Sequence, residues 1–366
     1  MKQAVRGFAD TPLVLIILAT VVATAFFAGG DGSMRRIVVA AGVNAIAVVG
    51  LYVYIGLTGV FSFGQLAFMA IGAYTTAVLT VPVISKSVLF DGMPEWLVDL
   101  NLPTFIAIVV GALLAALVAL ALSVPMARMG DLTISLGTLA ILVAVYVVVG
   151  NWSAVTNGSK GITAIPTDTT LPVVLIVLAV VIAGVWFFQE SALGLKIRAT
   201  REDSVAARAI GISIGFHRGV AFVVSAFVVG IAGGLYAHLQ GSLSPDAFYI
   251  GPTFILIAML VVGGISTLSG AIIGTLVISA LRYGLQLIEP GVELGGFTTP
   301  TLPGISEVGL AVALLLILAL RRTGLTGGRE ISAAGFVEWV RGIGRGRRRD
   351  KADGRASEET HEEVGA

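Results

Sequence analysis

Residues 37–85 read IVVAAGVNAIAVVGLYVYIGLTGVFSFGQLAFMAIGAYTTAVLTVPVIS and hold no Asp, Glu, Lys or Arg. Residues 247–281, AFYIGPTFILIAMLVVGGISTLSGAIIGTLVISAL, are equally free of charge. About 20 apolar residues make one helical crossing of a bilayer. Runs of this length read as consecutive membrane-spanning helices, because a backbone in hydrocarbon must satisfy its own N–H and C=O groups. Outward from these runs the composition agrees. Hydrophobic residues are 56% of the 366 and charged residues 12%, with a mean hydropathy of +0.97. A soluble domain carries roughly 25% charged residues, so a water-soluble globular core is excluded.

The expected fold class is all-α, a polytopic membrane helical bundle of about ten crossings filling residues 1–320. The crossings fall near 12–28, 37–55, 60–81, 104–126, 132–149, 171–188, 219–239, 252–264, 267–288 and 304–320. The eighth is short and reads as a broken or re-entrant piece. The first follows Lys2 and Arg6 and contains Ala23-Thr24-Ala25, a pattern shared with cleavable signal peptides. Nine further apolar segments make an uncleaved first helix the plainer expectation. Lys and Arg favour the cytoplasmic side. A cytoplasmic N-terminus keeps Arg128, the loop 189–218 and everything after Leu320 inside, with Arg35 and Arg36 dissenting. The loop from Pro82 to Pro103, with Asp91, Glu95 and Asp99 against Lys86, then falls outside. Both termini are expected in the cytoplasm of a bacterial cell, with residues 321–366 as a disordered charged tail. Its basic run Arg345–Arg349 suits anionic membrane lipid.

The missing residue types narrow the function. The proposed crossings hold almost no ionisable group apart from His238; Arg282 and Glu307 sit near the outer ends of theirs. Proton-coupled carriers need buried carboxylates or His as relays, which disfavours a secondary transporter. The phosphate-cradling pattern GxxxxGK[ST] does not occur. The chain is therefore read as no ATPase and no enzyme, so energy for uphill movement must come from another subunit. There is no Cys, which removes disulfides, thiolate metal sites and a Cys nucleophile. Three scattered His, at 217, 238 and 361, make no metal cluster. A net charge of +1 gives no field for nucleic acid. Neutral polar groups remain: Asn44, Ser62, Gln65, Tyr74 and Thr75. Around them lie Gly56, Gly59, Gly64 and Gly72, with a second Gly-rich break at Gly263-Gly264. Taken singly, each Gly reads as small-residue helix packing. Taken together, paired breaks in two halves of a transporter point to the solute path.

The loop after the sixth crossing is the other signal. Thr200 with Asp203 fits a capping box, and Glu202 and Asp203 suit the positive end of a helix. Val205, Ala206, Ala209 and Ile210 form one apolar stripe, and Gly211 is placed to stop the helix. An interfacial anchor usually carries bulky Trp, Phe or Leu. Ala and Val instead suit docking into a groove on a protein partner.

On these residues the chain resembles the permease subunits of branched-chain amino-acid ABC importers, of the LivM type. The matching stretches are Gly56–Gly59 through Ser62–Tyr74, Gly194 through Gly211, Ala221 through Tyr236 with Ser244–Asp246, and Ala258–Gly264 through Gly274. The resemblance spans about 37–320. It implies that Gly194, Arg198, Thr200, Arg201, Glu202, Asp203, Ala206, Arg208 and Gly211 belong to a helix that couples to ATPases. It implies that Asn44, Ser62, Gly64, Gln65, Gly72, Tyr74, Gly263 and Gly264 lie along the substrate path. The implied partners are two ATPase subunits, which bind the ATP, a second homologous permease and an extracytoplasmic solute-binding protein. No cofactor is implied for this chain itself. The family has His where Gln65 stands, so urea, a sugar or a nucleoside stays open as cargo beside a branched-chain amino acid.

Overall fold

The computed structural model describes residues 32–90 and 92–288. Beyond them it describes only 19, 20, 23, 293, 294, 297, 298, 304, 308, 309, 311, 312, 324–327 and 330. The expected crossings at 12–28 and 304–320 lie almost wholly outside the described residues. The other eight fall on helices. Seven helices among the described residues are long and apolar enough to cross a membrane, or eight with one broken helix counted as a span. The single strand pairing with named strands there is a two-residue ladder, Glu293–Leu294 against Phe297–Thr298, antiparallel.

Helix α1 runs Gly32–Leu51 and continues as a π-helical turn, Tyr52–Gly56. The charge-free run hides this defect, because nothing in its composition changes there. Helix α2 is Gln65–Thr80. Pro82 has no N–H to extend it, and the chain bends by 116° into α3, Val83–Leu89. Helix α4 is Glu95–Val98. The Lys86 side chain, expected in a solvated loop, is 0% exposed and donates to the carbonyls of Leu97 and Leu100. Helices α5, Thr104–Met126, and α6, Asp131–Asn151, follow. Then come the short α7, Ser153–Thr156, and the long α8, Leu171–Glu190. The loop 189–218 carries α9, Ala192–Glu202, and α10, Ser204–Ala209. Helices α11, Ile214–Gln240, α12, Ile250–Gly263, and α13, Leu268–Ile288, complete the described bundle.

Helix α11 is the central post, packed on α2, α5 and α1, while α13 packs on α12 and α1. Its apposition to α2 is backbone to backbone. A Cβ on Gly72 would run into the Gly230 carbonyl, and one on Gly233 into that of Met69. Lipid tails give apolar helices no hydrophobic reason to associate, so close packing has to supply the attraction. Polar side chains in the bundle turn inward. Thr76 Oγ1 donates to Gly72 O at 2.7 Å, and Thr80 to Thr76 O at 2.9 Å. His238 is enclosed with Nδ1 2.7 Å from Pro166 O and Nε2 3.3 Å from Thr80 Oγ1. It is a satisfied structural His, with both ring nitrogens occupied.

Candidate functional site

The loop at one end of α11 begins with a cap. Ser191, extended at φ −68°, ψ 163°, accepts from Gly194 N at 3.2 Å and so starts α9. A Cβ on Gly194 would run into the Phe188 carbonyl, so the α8–α9 elbow has room only for glycine there. Arg198 locks the same elbow by donating to Gln189 O and to Glu190 Oε1, the latter at 2.8 Å. Tyr52 of the π-helical turn donates to Gln189 Oε1 at 2.7 Å.

The expected capping box is corrected here. Thr200 lies inside α9, buried, with Oγ1 donating to Ile197 O at 2.7 Å. Glu202 is the last residue of α9, where an acid faces the negative end of the helix rather than the positive one. The cap is Asp203 alone. Its backbone is extended at φ −149°, ψ 107°, and Oδ1 accepts from Val205 N at 2.8 Å and Ala206 N at 2.9 Å. These bonds, Ala206 before Val205, hold the carboxyl below its ordinary 3.8. The stop at Gly211 takes the form expected. Gly211, at φ +85°, donates to Arg208 O at 3.0 Å and Ile212 donates to Ala207 O at 3.0 Å, the paired bonds of a Schellman motif.

The short α10 turns only Ala207 inward. Val205 is 73% exposed and Ile210 76%, with Ala206 and Ala209 exposed beside them. The apolar stripe therefore has no partner within the described chain. Arg201 ties this surface to the bundle. Its Nη1 donates to Gly56 O at 2.6 Å, and its stem covers Gly59. Arg208 lines a cavity of about 450 Å³ with Arg128, Arg218 and Asp131, the last two forming an ion pair. Tyr54 and Phe222 also line it.

A second cavity, about 310 Å³, lies toward the opposite end of α11. Of the eight expected path residues it contains Asn44. Ser62 and Gln65 are buried off both cavities, Gln65 Nε2 donating to Ser62 Oγ at 3.4 Å while its Oε1 finds no partner. Gly64 precedes α2 and abuts the Thr138 backbone, Gly72 sits at the α2–α11 crossing, and Tyr74 packs edge-on to Phe248 at 6.0 Å. Gly263 and Gly264 form the break between α12 and α13. The cavity's polar lining comes instead from Tyr236, Gln240, Ser279, Arg282, Tyr283 and Gln286, over apolar Leu66, Met69, Leu256 and Met259. A signal for it exists in the sequence. Ser279, Arg282, Tyr283 and Gln286 are spaced to share one helical face in an otherwise apolar stretch.

An aromatic cluster borders the first cavity. Phe222 meets Tyr54 and Phe68 edge-on, each at 5.1 Å between ring centres. All three are almost completely buried.

Comparisons with known proteins identify a family. A family model described as "Branched-chain amino acid transport system / permease component" matches residues 33–321. The chain is 26% identical over 267 residues to the high-affinity branched-chain amino acid transport system permease protein LivM of Escherichia coli (strain K12), covering 64% of this chain and 59% of that protein. It is 26% identical over 168 residues to the guanosine ABC transporter permease protein NupQ of Bacillus subtilis (strain 168), covering 45% and 50%. It is 33% identical over 105 residues to the autoinducer 2 import system permease protein LsrC of Klebsiella pneumoniae, covering 29% and 30%. The chain thus spans less than two thirds of the length of these relatives. No solved structure matches it.

Proposed function

This chain belongs to the family of permease components of branched-chain amino acid transport systems, and on that premise we propose that it forms the solute path of an ATP-driven importer in the bacterial cytoplasmic membrane. It is a multi-pass membrane protein whose named relatives are permease proteins. In this reading separate ATPase subunits dock on the α9–α10 surface. A second permease completes the path, and an extracytoplasmic binding protein delivers the solute to the cavity at the far end of α11. The observation that carries the reading is the pairing of an unpartnered, capped apolar face with a direct bond from Arg201 to Gly56. A push on α10 passes through the Asp203 junction to Arg201 in the last turn of α9, and through its bond to the π-helical turn of α1. A π-turn is a local defect in the helical ladder and a frequent feature of functional sites.

The cavity lining favours the cargo class. An aliphatic floor of Leu66, Met69, Leu256 and Met259 under one cation, Arg282, suits an apolar side chain attached to a carboxylate. The relative named for guanosine keeps a nucleoside as the second reading. The test is uptake by the complex reconstituted with its ATPases and binding protein. Leucine or isoleucine is expected to be carried and to stimulate ATP hydrolysis. Arg201→Glu combined with Asp203→Arg is expected to abolish stimulation while membrane insertion stays normal. Nucleoside uptake without leucine uptake would overturn the cargo, and normal stimulation in the double variant would overturn the coupling route.

A further inference from the structure

Beyond the matched region 33–321, a piece of the tail is bound into the bundle. Leu325 N donates to Val262 O at 2.8 Å and Thr326 N to Gly263 O at 3.1 Å. Thr326 Oγ1 donates to Gly263 O at 2.9 Å and lies 3.1 Å from Thr267 Oγ1. The Leu325 side chain packs against the hydrophobic core. Glu330 then reaches the start of α13, where Oε1 accepts from Leu268 N at 2.7 Å and Oε2 from Ser269 N at 3.1 Å.

Physical chemistry explains why these groups meet. The last carbonyls of a helix and its first N–H groups have no partners inside it. At the break between α12 and α13 both kinds of orphan occur within a few residues. The tail supplies N–H donors to the carbonyls of Val262 and Gly263. It supplies a carboxylate to the N–H groups of Leu268 and Ser269, where the helix dipole also favours an anion. One short segment thus satisfies both sides of the break. The break also adjoins the coupling loop's contact with the bundle: Gly56, whose carbonyl accepts from Arg201, lies so close to Ile265 of the break that a Cβ on it would run into the Ile265 carbonyl.

We infer that residues 324–327 with Glu330 form a strap that holds the α12–α13 break in a fixed position relative to the coupling surface. Glu330 is its positioning residue. The strap stays seated through the transport cycle. The transport consequence rests on the coupling reading of α9–α10, whereas the seating of the strap does not.

The experiment uses the full chain in its reconstituted complex. The chain has no Cys, so the pair Thr267→Cys and Thr326→Cys reports the strap without background. Under mild oxidant this pair is expected to form a disulfide and to retain solute-stimulated ATP hydrolysis. Deleting residues 331–366 is expected to leave stimulation intact. Glu330→Ala strands two buried donors and is expected to lower stimulation about tenfold, with Glu330→Gln intermediate because one acceptor remains. Basal ATP hydrolysis and the detergent-extracted size of the complex should stay at wild-type levels, which separates positioning from misfolding. If Glu330→Ala does not assemble, Glu330→Gln and the disulfide carry the test. Absence of the disulfide, loss of stimulation once it forms, or full stimulation in Glu330→Ala would each overturn the strap. A disulfide that forms while the Arg201→Glu variant still couples would instead remove the coupling route and leave the seating of the strap intact.

Discussion

Asp203 sets where one loop helix ends and the next begins, through two bonds from a single carboxylate oxygen. Asn caps helices as well as Asp does, whereas Ala does not. Asp203→Asn is therefore expected to keep solute-stimulated ATP hydrolysis near wild type, and Asp203→Ala to lower it several-fold. Equal loss in both variants would show that charge matters and capping does not. The pH dependence follows from the same bonds. The folded carboxyl is held below its ordinary 3.8, so its contribution to stability is complete above that value and is lost as pH falls through the lower folded value. Between about pH 6 and 8 the group stays ionised, and the pH profiles of wild type and Asp203→Asn should superimpose. The sequence made this residue hard to assign. Thr200 and Asp203 have the spacing of a capping box, and only the structure shows Thr200 already inside a helix begun at Ser191. Gly211 was easier, because a Gly just past an apolar stripe has few other uses.

The crossing of α2 and α11 is where helix packing is most demanding. Backbone meets backbone at Gly72, Gly230 and Gly233, so an added methyl has no flexible neighbour to displace. Gly72→Ala and Gly233→Ala are each expected to destabilise the bundle by about 1–3 kcal/mol, the usual effect of overpacking. Thermal unfolding in detergent should register it as a lowered midpoint. Gly184→Ala is the control, since nothing lies within 4 Å of the added Cβ in α8. A fall in midpoint as large for Gly184→Ala as for Gly72→Ala would defeat this account. Hydropathy made most of these helices legible, because length and lack of charge suffice to mark a crossing. It could not mark the π-helical turn at Tyr52–Gly56, where composition stays apolar. Nor did it reveal Lys86 as an enclosed staple between α3 and α4, because a Lys among Asp and Glu residues reads as solvated.

At the scale of the whole molecule the fold sets two cavities at opposite ends of α11. Phe222 lines one and Tyr236 the other, about 20 Å apart at 1.5 Å per residue. The second cavity is only partly legible in the sequence: Asn44 stands out as a polar residue in a charge-free run, whereas the Ser279–Gln286 stripe does not, because Arg282 reads as a helix-end charge. The Gly-rich segments drew attention to the α2–α11 crossing and the α12–α13 break, both sites of close backbone approach. In the proposed importer, alternating access needs a barrier between these cavities, and the buried aromatic cluster at the edge of the first is the candidate. Phe222 touches Tyr54 on the loop side and Phe68 in α2, so it is the ring whose loss opens the barrier most directly. In proteoliposomes without ATP, Phe222→Ala should leak the transported solute, while Phe222→Leu, which keeps most of the volume, should leak far less. A single Cys at Asn44 should react with an impermeant thiol reagent only from the side opposite the α9–α10 loop in the wild-type background, and from both sides once Phe222→Ala is added. One-sided labelling in that variant, together with tight vesicles, would mean the aromatic cluster is packing and the barrier lies elsewhere.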